Sequence, residues 1–408
     1  MMKRITVISV MLLLLFTACQ KNVEDPYTLK FYGDTRENIG YSVAIASDGY
    51  IIAGQTEIIT RLNGAIVDSL NNKNMVVIKT DWAGNVKWQV NAGGKKDDSA
   101  AKIYQLSDGS MLCVGTLTDT ASVIGRKDVF IVKISSTGQV LWKKAYGGQG
   151  NQYGKDIVES SGGFIVLGTT DNSNPPAADS TGNKAGRTDL FIMSISATGD
   201  FLYSYQAGYP GNEEASAIKQ DVDGNYIVLG TTDRSEPQDQ RTDNNLLILK
   251  LNSNGKYYNA RVYGTTDDEY SSDVEVLQDG YLVAGTIGNS STTQQGYIVK
   301  FKRDISVAPE FWGKFSVNNY STSFNSVTTD NNGNFLVGGY VNINPGLRML
   351  VAGIGVDGNL LNGMTMIKGS TGDQSINDVV SGDDGYIIAV GRNTYEVNSM
   401  ISFLKFRF

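Results

Sequence analysis

The chain has 408 residues, with 35 lysines and arginines against 42 aspartates and glutamates, so its formal net charge is −7. Such a negative field repels a phosphate backbone and argues against nucleic-acid binding. The chain contains no histidine, which excludes histidine-ligated zinc sites, Ser-His-Asp triads and imidazole acid–base catalysis.

The first predicted element is a signal peptide, residues 1–18. Lys3 and Arg4 give it a basic start, an apolar run follows, and small residues precede Cys19. The run is too short to span a bilayer. FTAC (16–19) resembles a bacterial lipobox with Phe16 where leucine is more usual, and this resemblance implies that Cys19 becomes a lipidated first residue. An ordinary cleaved signal with an incidental cysteine is the alternative.

Residues 19–26 are then expected to form a lipidated tether. Gln20 follows the cysteine instead of Asp, which by resemblance to Gram-negative lipoproteins implies an outer-membrane lipoprotein. KNVED (21–25) resembles the surface-export signal of Bacteroidetes lipoproteins and extends the expectation to the cell surface. The other cysteine, Cys113 in SMLCVGT, is expected in a buried strand, so no internal disulfide is predicted.

From residue 27 to residue 408 one sequence repeat recurs. It consists of an acidic Gly-rich turn, a short strand, a DG-type turn, an apolar strand ending in Gly, a variable loop, a third strand, and a fourth strand that often carries an aromatic residue. Asp-Gly and Asn-Gly between apolar runs are strong hairpin signals, because Gly accepts the positive φ of tight turns. The apolar strands end at Gly54, Gly115, Gly168, Gly230, Gly285, Gly339 and Gly391.

Four antiparallel strands repeated radially make a β-propeller, here an all-β fold with seven blades. YTLKFYG (27–33) is a fourth strand without its first three, whereas NSMISFLKFRF (398–408) is a third strand without its fourth. Joined, they complete the seventh blade and close the ring, which removes free sheet edges. The aromatic residues of the other fourth strands are expected to pack between neighbouring sheets; they are Trp88, Trp142, Tyr203, Tyr258 and Trp312.

The clearest copies, such as YGGQGNQYGKDIVESSGGFIVLGTTDNS (146–173), resemble the SBBP repeat, a bacterial propeller repeat with the pattern GG, Asp, DG, GxT, strand, TG, GG. The resemblance covers nearly all of residues 27–408. The sixth and seventh copies depart from it, since WGKFSVNNYS (312–321) lacks the GG pair. The resemblance implies a secreted or surface propeller and implies no reaction.

The long loops between second and third strands and the turns between blades are expected on one face of the ring, where binding is favoured. Those turns supply the candidate binding residues. The acids are Asp34, Glu37, Asp97, Asp98, Glu213, Glu214, Asp267, Asp268, Glu269 and Asp373, and the aromatic residues are Tyr153, Tyr209 and Tyr270. The alternative for the acids is structural: each carboxylate accepts backbone N–H bonds within its own turn.

We expect no resident metal or cofactor. DVDGN (221–225) is a hint of a Ca²⁺ loop, but it lacks the remaining ligand spacing of an EF-hand and lies where other blades have plain hairpin turns. The favoured function is a non-enzymatic, lipid-anchored propeller that binds a glycan or an envelope protein through the loop-rich face. The alternative is a polysaccharide lyase or glycoside hydrolase that uses the acids at the channel mouth.

Overall fold

The computed structural model describes residues 27–33, 36–57, 60–62, 65–68, 72–118, 127–148, 150–171, 188–209, 211–233, 243–288, 293–396 and 398–408. Thirty β-strands make up the regular structure of these residues. Within them there is no helix of the length and apolarity that a membrane crossing requires.

The strands form seven four-stranded antiparallel sheets, and the expectation of a seven-bladed propeller is confirmed. β1 is Tyr27–Tyr32. Blade 1 contains β2 (Asn38–Ala46), β3 (Gly49–Glu57), β6 (Lys73–Thr80) and β7 (Val86–Ala92), with the small hairpin β4 (Thr60–Leu62) and β5 (Ala65–Asp68) between its second and third strands. Blade 2 contains β8 (Ser99–Gln105), β9 (Met111–Thr118), β10 (Lys127–Ile134) and β11 (Val140–Tyr146). Blade 3 contains β12 (Gln152–Ser160), β13 (Gly163–Thr170), β14 (Asp189–Ser196) and β15 (Phe201–Ala207).

The remaining blades continue the pattern. Blade 4 contains β16 (Glu213–Gln220), β17 (Tyr226–Thr232), β18 (Asn245–Leu251) and β19 (Tyr257–Tyr263). Blade 5 contains β20 (Glu269–Val276), β21 (Gly280–Ile287), β22 (Gln295–Lys302) and β23 (Phe311–Phe315). Blade 6 contains β24 (Ser321–Thr329), β25 (Phe335–Ile343), β26 (Gly346–Ile354) and β27 (Leu360–Lys368). Blade 7 contains β28 (Gln374–Ser381), β29 (Ile387–Tyr395), β30 (Asn398–Phe406) and, as its outermost strand, β1.

The ring is closed as the two end fragments predict. β1 pairs antiparallel with β30, from Tyr27 opposite Phe406 to Tyr32 opposite Ile401. The first strand of each blade contacts the first strand of the next blade around the whole ring. Because the strands alternate in direction, the first-to-second and third-to-fourth connections lie at one end, the short-turn face. The second-to-third and blade-to-blade connections lie at the other end, the loop face.

Apolar side chains fill the space between blades. The described residues form seven buried clusters, one for each pair of neighbouring sheets. Cys113 belongs to the cluster between blades 1 and 2 and is fully buried, as expected, and burial raises the pKa of its thiol. The apolar strands are therefore buried on both faces, which explains their near-continuous Val, Ile and Leu content.

Most of the fourth-strand aromatic residues pack between sheets, but not all. Trp88 lies over Gly138 of the next blade, Trp142 over Gly199, and Tyr203 over Gly255. Tyr258 does not behave as predicted, because its side chain points outward and is half exposed. Trp312 packs as predicted against the cluster between blades 4 and 5, where it stacks on Tyr297 of its own sheet at 5.6 Å between ring centroids.

Each first strand carries a β-bulge opposite the closing glycine of the second strand. In blade 1 the register shifts between Gly40 and Ser42, so that Tyr41 is the extra residue. A Cβ on Gly54 would lie 2.0 Å from the carbonyl oxygen of Ile39 on the neighbouring strand. The same close approach recurs in the other six blades, which explains why each second strand has a glycine at this position. The strand continues past the glycine and does not end there as the sequence predicts.

In six of the seven blades the residue after the bulge lies at the wall of the central channel. These residues are Lys102, Asp156, Ala217, Asp273, Ser326 and Asp378, and the equivalent Ser42 of blade 1 is fully buried. Where the side chain has an oxygen, that oxygen accepts a hydrogen bond from a backbone N–H of the next blade. Asp156 accepts from Ile218 at 3.0 Å, and Asp273 accepts from Val327 at 3.1 Å.

Asp378 makes the densest of these junctions. Its Oδ2 accepts from the backbone N–H of Val43 at 2.9 Å and from the hydroxyl of Ser42 at 2.8 Å, and its Oδ1 accepts from Ser326 at 2.9 Å. Lys102 Nζ lies 3.2 Å from Oδ2 across the channel. Burial disfavours the charged form of Lys102, but the surrounding carboxylates outweigh burial and raise its pKa.

Replacing Asp378 with alanine should therefore lower the free energy of unfolding by about 2 to 4 kcal/mol, because Val43 N–H and Lys102 both lose their buried partner. Urea unfolding of Asp378→Ala measures the change. Asp383→Ala, at an exposed turn of the same blade, is the matched control and should cost under about 1 kcal/mol. Equal losses in the two variants would contradict the role given to Asp378.

Candidate functional site

The loop face has a cavity of about 850 Å³ at the mouth of the central channel. Its lining is rich in hydroxyl, amide and carboxylate groups from the first strands of the blades and from the ends of several second strands. Of the residues singled out in the sequence, the cavity brings together Tyr153, Glu213, Glu214 and Tyr270. They belong to blades 3, 4 and 5, whose first strands lie side by side.

Two tyrosines and two charges are accessible in this part of the cavity. Tyr153 is 37% exposed and Tyr270 is 40% exposed. Lys127 Nζ lies 5.1 Å from the centroid of the Tyr153 ring, and the amide of Asn244 donates to the hydroxyl of Tyr270 at 3.0 Å. Lys155 and Glu214, on neighbouring first strands, are exposed at the same wall.

Three of the predicted acids clamp neighbouring blades together. Each accepts a hydrogen bond from the backbone N–H at or beside the start of the third strand in the preceding blade. Asp97 accepts from Lys73 at 3.0 Å, Asp268 from Asn244 at 2.9 Å, and Asp373 from Leu347 at 3.0 Å. Their oxygens thus hold the loop face in place.

Three further acids are buried at the start of the first strand. Asp98 accepts from the backbone N–H groups of Gly94 and Thr118, at 2.6 Å and 2.7 Å. Glu213 accepts from the hydroxyl of Thr232 at 2.7 Å, and Glu269 accepts from the backbone N–H of Thr265 at 3.0 Å. The bonds from Gly94 and Thr265 match the structural alternative raised for the acidic turns, whereas Thr118 and Thr232 belong to the ends of second strands.

The other candidates have separate environments. Glu37 pairs with Lys73 at 2.7 Å, and Asp267 pairs with Lys314 at 3.0 Å. Tyr209 is partly buried against the cluster between blades 3 and 4. Asp34 and Cys19 lie outside the described residues.

The DVDGN turn has partners of its own. Asp221 accepts from the backbone N–H groups of Asp223 and Asn225 at 2.9 Å and 3.0 Å, and its Oδ2 lies 2.5 Å from the Nζ of Lys250. Asp223 pairs with Arg303 at 2.8 Å. Among the residues that the structure describes, no group of three or more acids or cysteines is placed to hold a metal ion.

Sequence reasoning missed the deeper wall of the cavity. Lys102, Asp156, Asp273 and Asp378 all line it, together with Asn325 and several Ser and Thr side chains. A signal was present, because an Asp followed by Ile or Val recurs in three first strands, in KDIVES, SDVEV and NDVVS. The bulge that places this residue at the channel cannot be read from the letters alone.

No protein-family model matches the chain. The curated Regulatory protein FlaEY of Caulobacter vibrioides is 24% identical over 210 residues, which is 48% of this chain and 22% of that protein. The chain thus spans about a fifth of the length of this relative.

Several solved propellers resemble the whole ring. Raptor from Chaetomium thermophilum has a TM-score of 0.54 at 11% identity, over 93% of this chain and 29% of that one. The Pan2 WD40 domain of Neurospora crassa has a TM-score of 0.53 at 9% identity, over 92% and 95%. Virginiamycin B lyase of Staphylococcus aureus has a TM-score of 0.51 at 11% identity, over 93% and 99%. Similarity at this level of identity shows the β-propeller fold alone.

Glu213 and Glu269 give the site a pH dependence. Burial raises the pKa of each from its usual 4.5 to about 7, opposed by the hydroxyls of Thr232 and Thr265 respectively. Asp189 and Asp233 add to the shift at Glu213; at Glu269, Asp243 adds to it and Lys314 opposes it. Since the folded state holds these protons more tightly, their stabilising contribution is full below pH about 4.5 and is lost as the pH rises through about 7.

The double variant Glu213→Gln, Glu269→Gln should therefore flatten the fall in stability between about pH 5.5 and about pH 8.5. The effect in this interval is about 2 kcal/mol for each residue, since about 1.5 pKa units of the shift lie above pH 5.5 and one unit corresponds to about 1.4 kcal/mol. Urea unfolding at the two pH values provides the measurement. Glu214→Gln, the exposed neighbour, is the control and should keep the wild-type slope; an unchanged slope in the double variant would refute the assignment.

Proposed function

We propose that this protein is a non-enzymatic binding scaffold that takes a glycan in the cavity of the loop face. The observation that carries the proposal is the cavity itself, whose 850 Å³ fall within the ~300–1,000 Å³ typical of ligand sites. Its wall combines hydroxyl and amide groups with two accessible tyrosines, and it rests on a closed, rigid ring.

Sugars suit this surface for chemical reasons. A sugar ring has an apolar face of C–H groups that packs on an aromatic side chain, as Tyr153 and Tyr270 allow. Its hydroxyl groups both donate and accept hydrogen bonds, and the Ser, Thr and Asn side chains of the wall do the same. Glu214 and Lys155 add one exposed acceptor group and one exposed donor group at the same wall.

We further propose that the propeller is an outer-membrane lipoprotein with SBBP-type repeats, of the kind found in Bacteroidetes and displayed at the cell surface. The support is the lipobox-like FTAC (16–19), the residues Gln20 to Asp25 that follow it, and the recurrence of the Asp, DG and closing-Gly pattern. An envelope protein is the other class of partner for the loop face.

A thermal-shift screen of residues 20–408 against host and plant polysaccharides tests glycan binding. A ligand at 100 times its Kd adds about 2.7 kcal/mol of apparent stability. Tyr153→Ala and Tyr270→Ala should each weaken binding about fivefold, because each removes one aromatic contact of about 1 kcal/mol.

Tyr395→Ala is the matched control, since Tyr395 is an exposed tyrosine that does not line the cavity. Titration calorimetry of the three variants should show a loss only for the two cavity variants. No response to any polysaccharide would shift the proposal to a protein partner, to be captured by crosslinking on cells. The lyase or hydrolase alternative remains a hypothesis, which an assay for new chain ends on the same polysaccharides tests directly.

Lipidation at Cys19 is tested separately. The full chain expressed in a Gram-negative host should incorporate labelled palmitate and partition into the detergent phase, because thioether and amide-linked chains anchor the mature N-terminus. Cys19→Ser should abolish both signals, whereas Cys113→Ser should retain them. Label retained in Cys19→Ser would exclude Cys19 as the anchor.

A further inference from the structure

Exposed large hydrophobic side chains are divided unequally between the two faces of the ring. At the short-turn face every blade contributes at least one, located in a turn or near the start of a fourth strand. They are Trp82 and Val86, Val140 and Leu141, Phe201 and Leu202, Val222 and Tyr258, Val307, Val356 and Leu360, and Leu29 with Phe408. On the loop face, the side chains of this class in the described residues are the tyrosines Tyr153, Tyr270, Tyr320 and Tyr395, and Phe31, which is 41% exposed, lies near the loop-face end of the outer strand β1.

The exposure of this apolar rim is large where the fourth strands begin. Leu141 is 52% exposed, Phe201 and Leu202 are each 53% exposed, and Val356 in its turn is 71% exposed. Single exposed apolar residues are ordinary, but a set distributed around one face marks an interaction surface. Because the set follows the ring, its partner must be broad and nearly flat.

The chain itself indicates which flat partner is available. β1 is a fourth strand, so Tyr27 lies at the short-turn face, and the segment that precedes it leaves from there. The eight residues 19–26 can span at most about 28 Å, since an extended chain covers about 3.5 Å per residue. An anchor at Cys19 would therefore hold the short-turn face near the lipid surface.

The charges of this face favour a neutral bilayer. Several of its carboxylates pair with cations of the same face, such as Asp48 with Lys79 and Lys87, and Asp200 with Lys144. Asp279 pairs with Lys300 in the same way. Cations outside these pairs, such as Lys256 and Lys405, are balanced by carboxylates of the turns, such as Asp330 and Asp357, so the described part of this face has no marked excess of cations to attract anionic lipids.

We propose that the short-turn face docks on a zwitterionic lipid bilayer through its apolar rim, so that the loop face and its cavity point away from the membrane. This inference extends the proposed anchoring at Cys19, and it makes the cavity accessible to polymers arriving from solution. Binding of this kind scales with the apolar area that enters the interface.

The test supplies its own anchor, so that its result does not depend on lipidation in cells. A hexahistidine tag replaces residues 1–18, which precede every described strand, and Cys19 is changed to Ser. The chain is captured on phosphatidylcholine vesicles that contain a nickel-chelating lipid. Leu202→Cys and Tyr320→Cys are labelled with an environment-sensitive dye, while Cys113 is buried and does not compete.

Leu202 lies in blade 3, on the other side of the ring from β1, the strand that follows the tether. Its label therefore contacts lipid only if the whole short-turn face rests on the bilayer. Spin-labelled lipid should quench the dye at 202 at least about threefold more than the dye at 320, and iodide should show the reverse order. Adding Leu141→Ser and Tyr258→Ser should reduce the lipid quenching at 202 to the level at 320. The serine variants should keep the wild-type Tm, because both residues are half exposed.

Other results would overturn the proposal. Equal quenching at 202 and 320 would mean that the tethered ring tumbles freely. Protection of 202 in the absence of vesicles, with a dimeric mass, would assign the rim to a second copy of the chain. Stronger docking after part of the phosphatidylcholine is replaced by phosphatidylglycerol would contradict recognition of a neutral surface. Glycan binding and palmitate incorporation are measured independently and would be unaffected by any of these outcomes.

Discussion

The bulge in the first strand of each blade is the constraint on which the rest of the structure depends. It requires a glycine opposite, because only a residue without a Cβ fits beside the displaced carbonyl group. It also turns the following side chain toward the neighbouring blade, where Asp156, Asp273 and Asp378 accept backbone N–H bonds. The same local irregularity therefore sets the strand pairing within a sheet, the attachment between sheets and the polar wall of the channel.

The loop face both holds neighbouring blades together and presents polar groups to the cavity, and different residues perform these two tasks. Asp97, Asp268 and Asp373 have oxygens bound to the backbone of the preceding blade. Glu214 and Lys155, in blades 4 and 3, leave their charges exposed to the cavity. Since the clamping residues fix the backbone, the exposed residues are held on a wall that does not need to reorganise when a ligand binds. The long second-to-third loops can then differ between blades without disturbing the wall.

Much of the architecture could be predicted because it rests on residues with one strong local preference. The closing glycines and Asp-Gly turns mark hairpins wherever they occur, and the two end fragments complete one sheet. The functional surface was harder to predict, because side-chain direction alternates along a strand. Glu213 and Glu214 are adjacent and both line the cavity, yet the first is fully buried and the second is exposed. Tyr257 and Tyr258 raise the same difficulty. The sequence predicts that Tyr258 packs inward, but Tyr257 is the partly buried side chain and Tyr258 is exposed.

Closure of the ring by β1 also decides how the molecule bears a mechanical load. Tension on the chain before Tyr27 is applied to one end of a strand whose six residues are all paired with β30. When that tension is directed out of the short-turn face it runs along the strand, so the inter-strand hydrogen bonds are loaded together in shear. When it is directed sideways, away from the rim, the bonds at Tyr27 and Phe406 open first and the others follow one at a time. The ring is thus strong against extraction along its axis and weak against peeling at its edge.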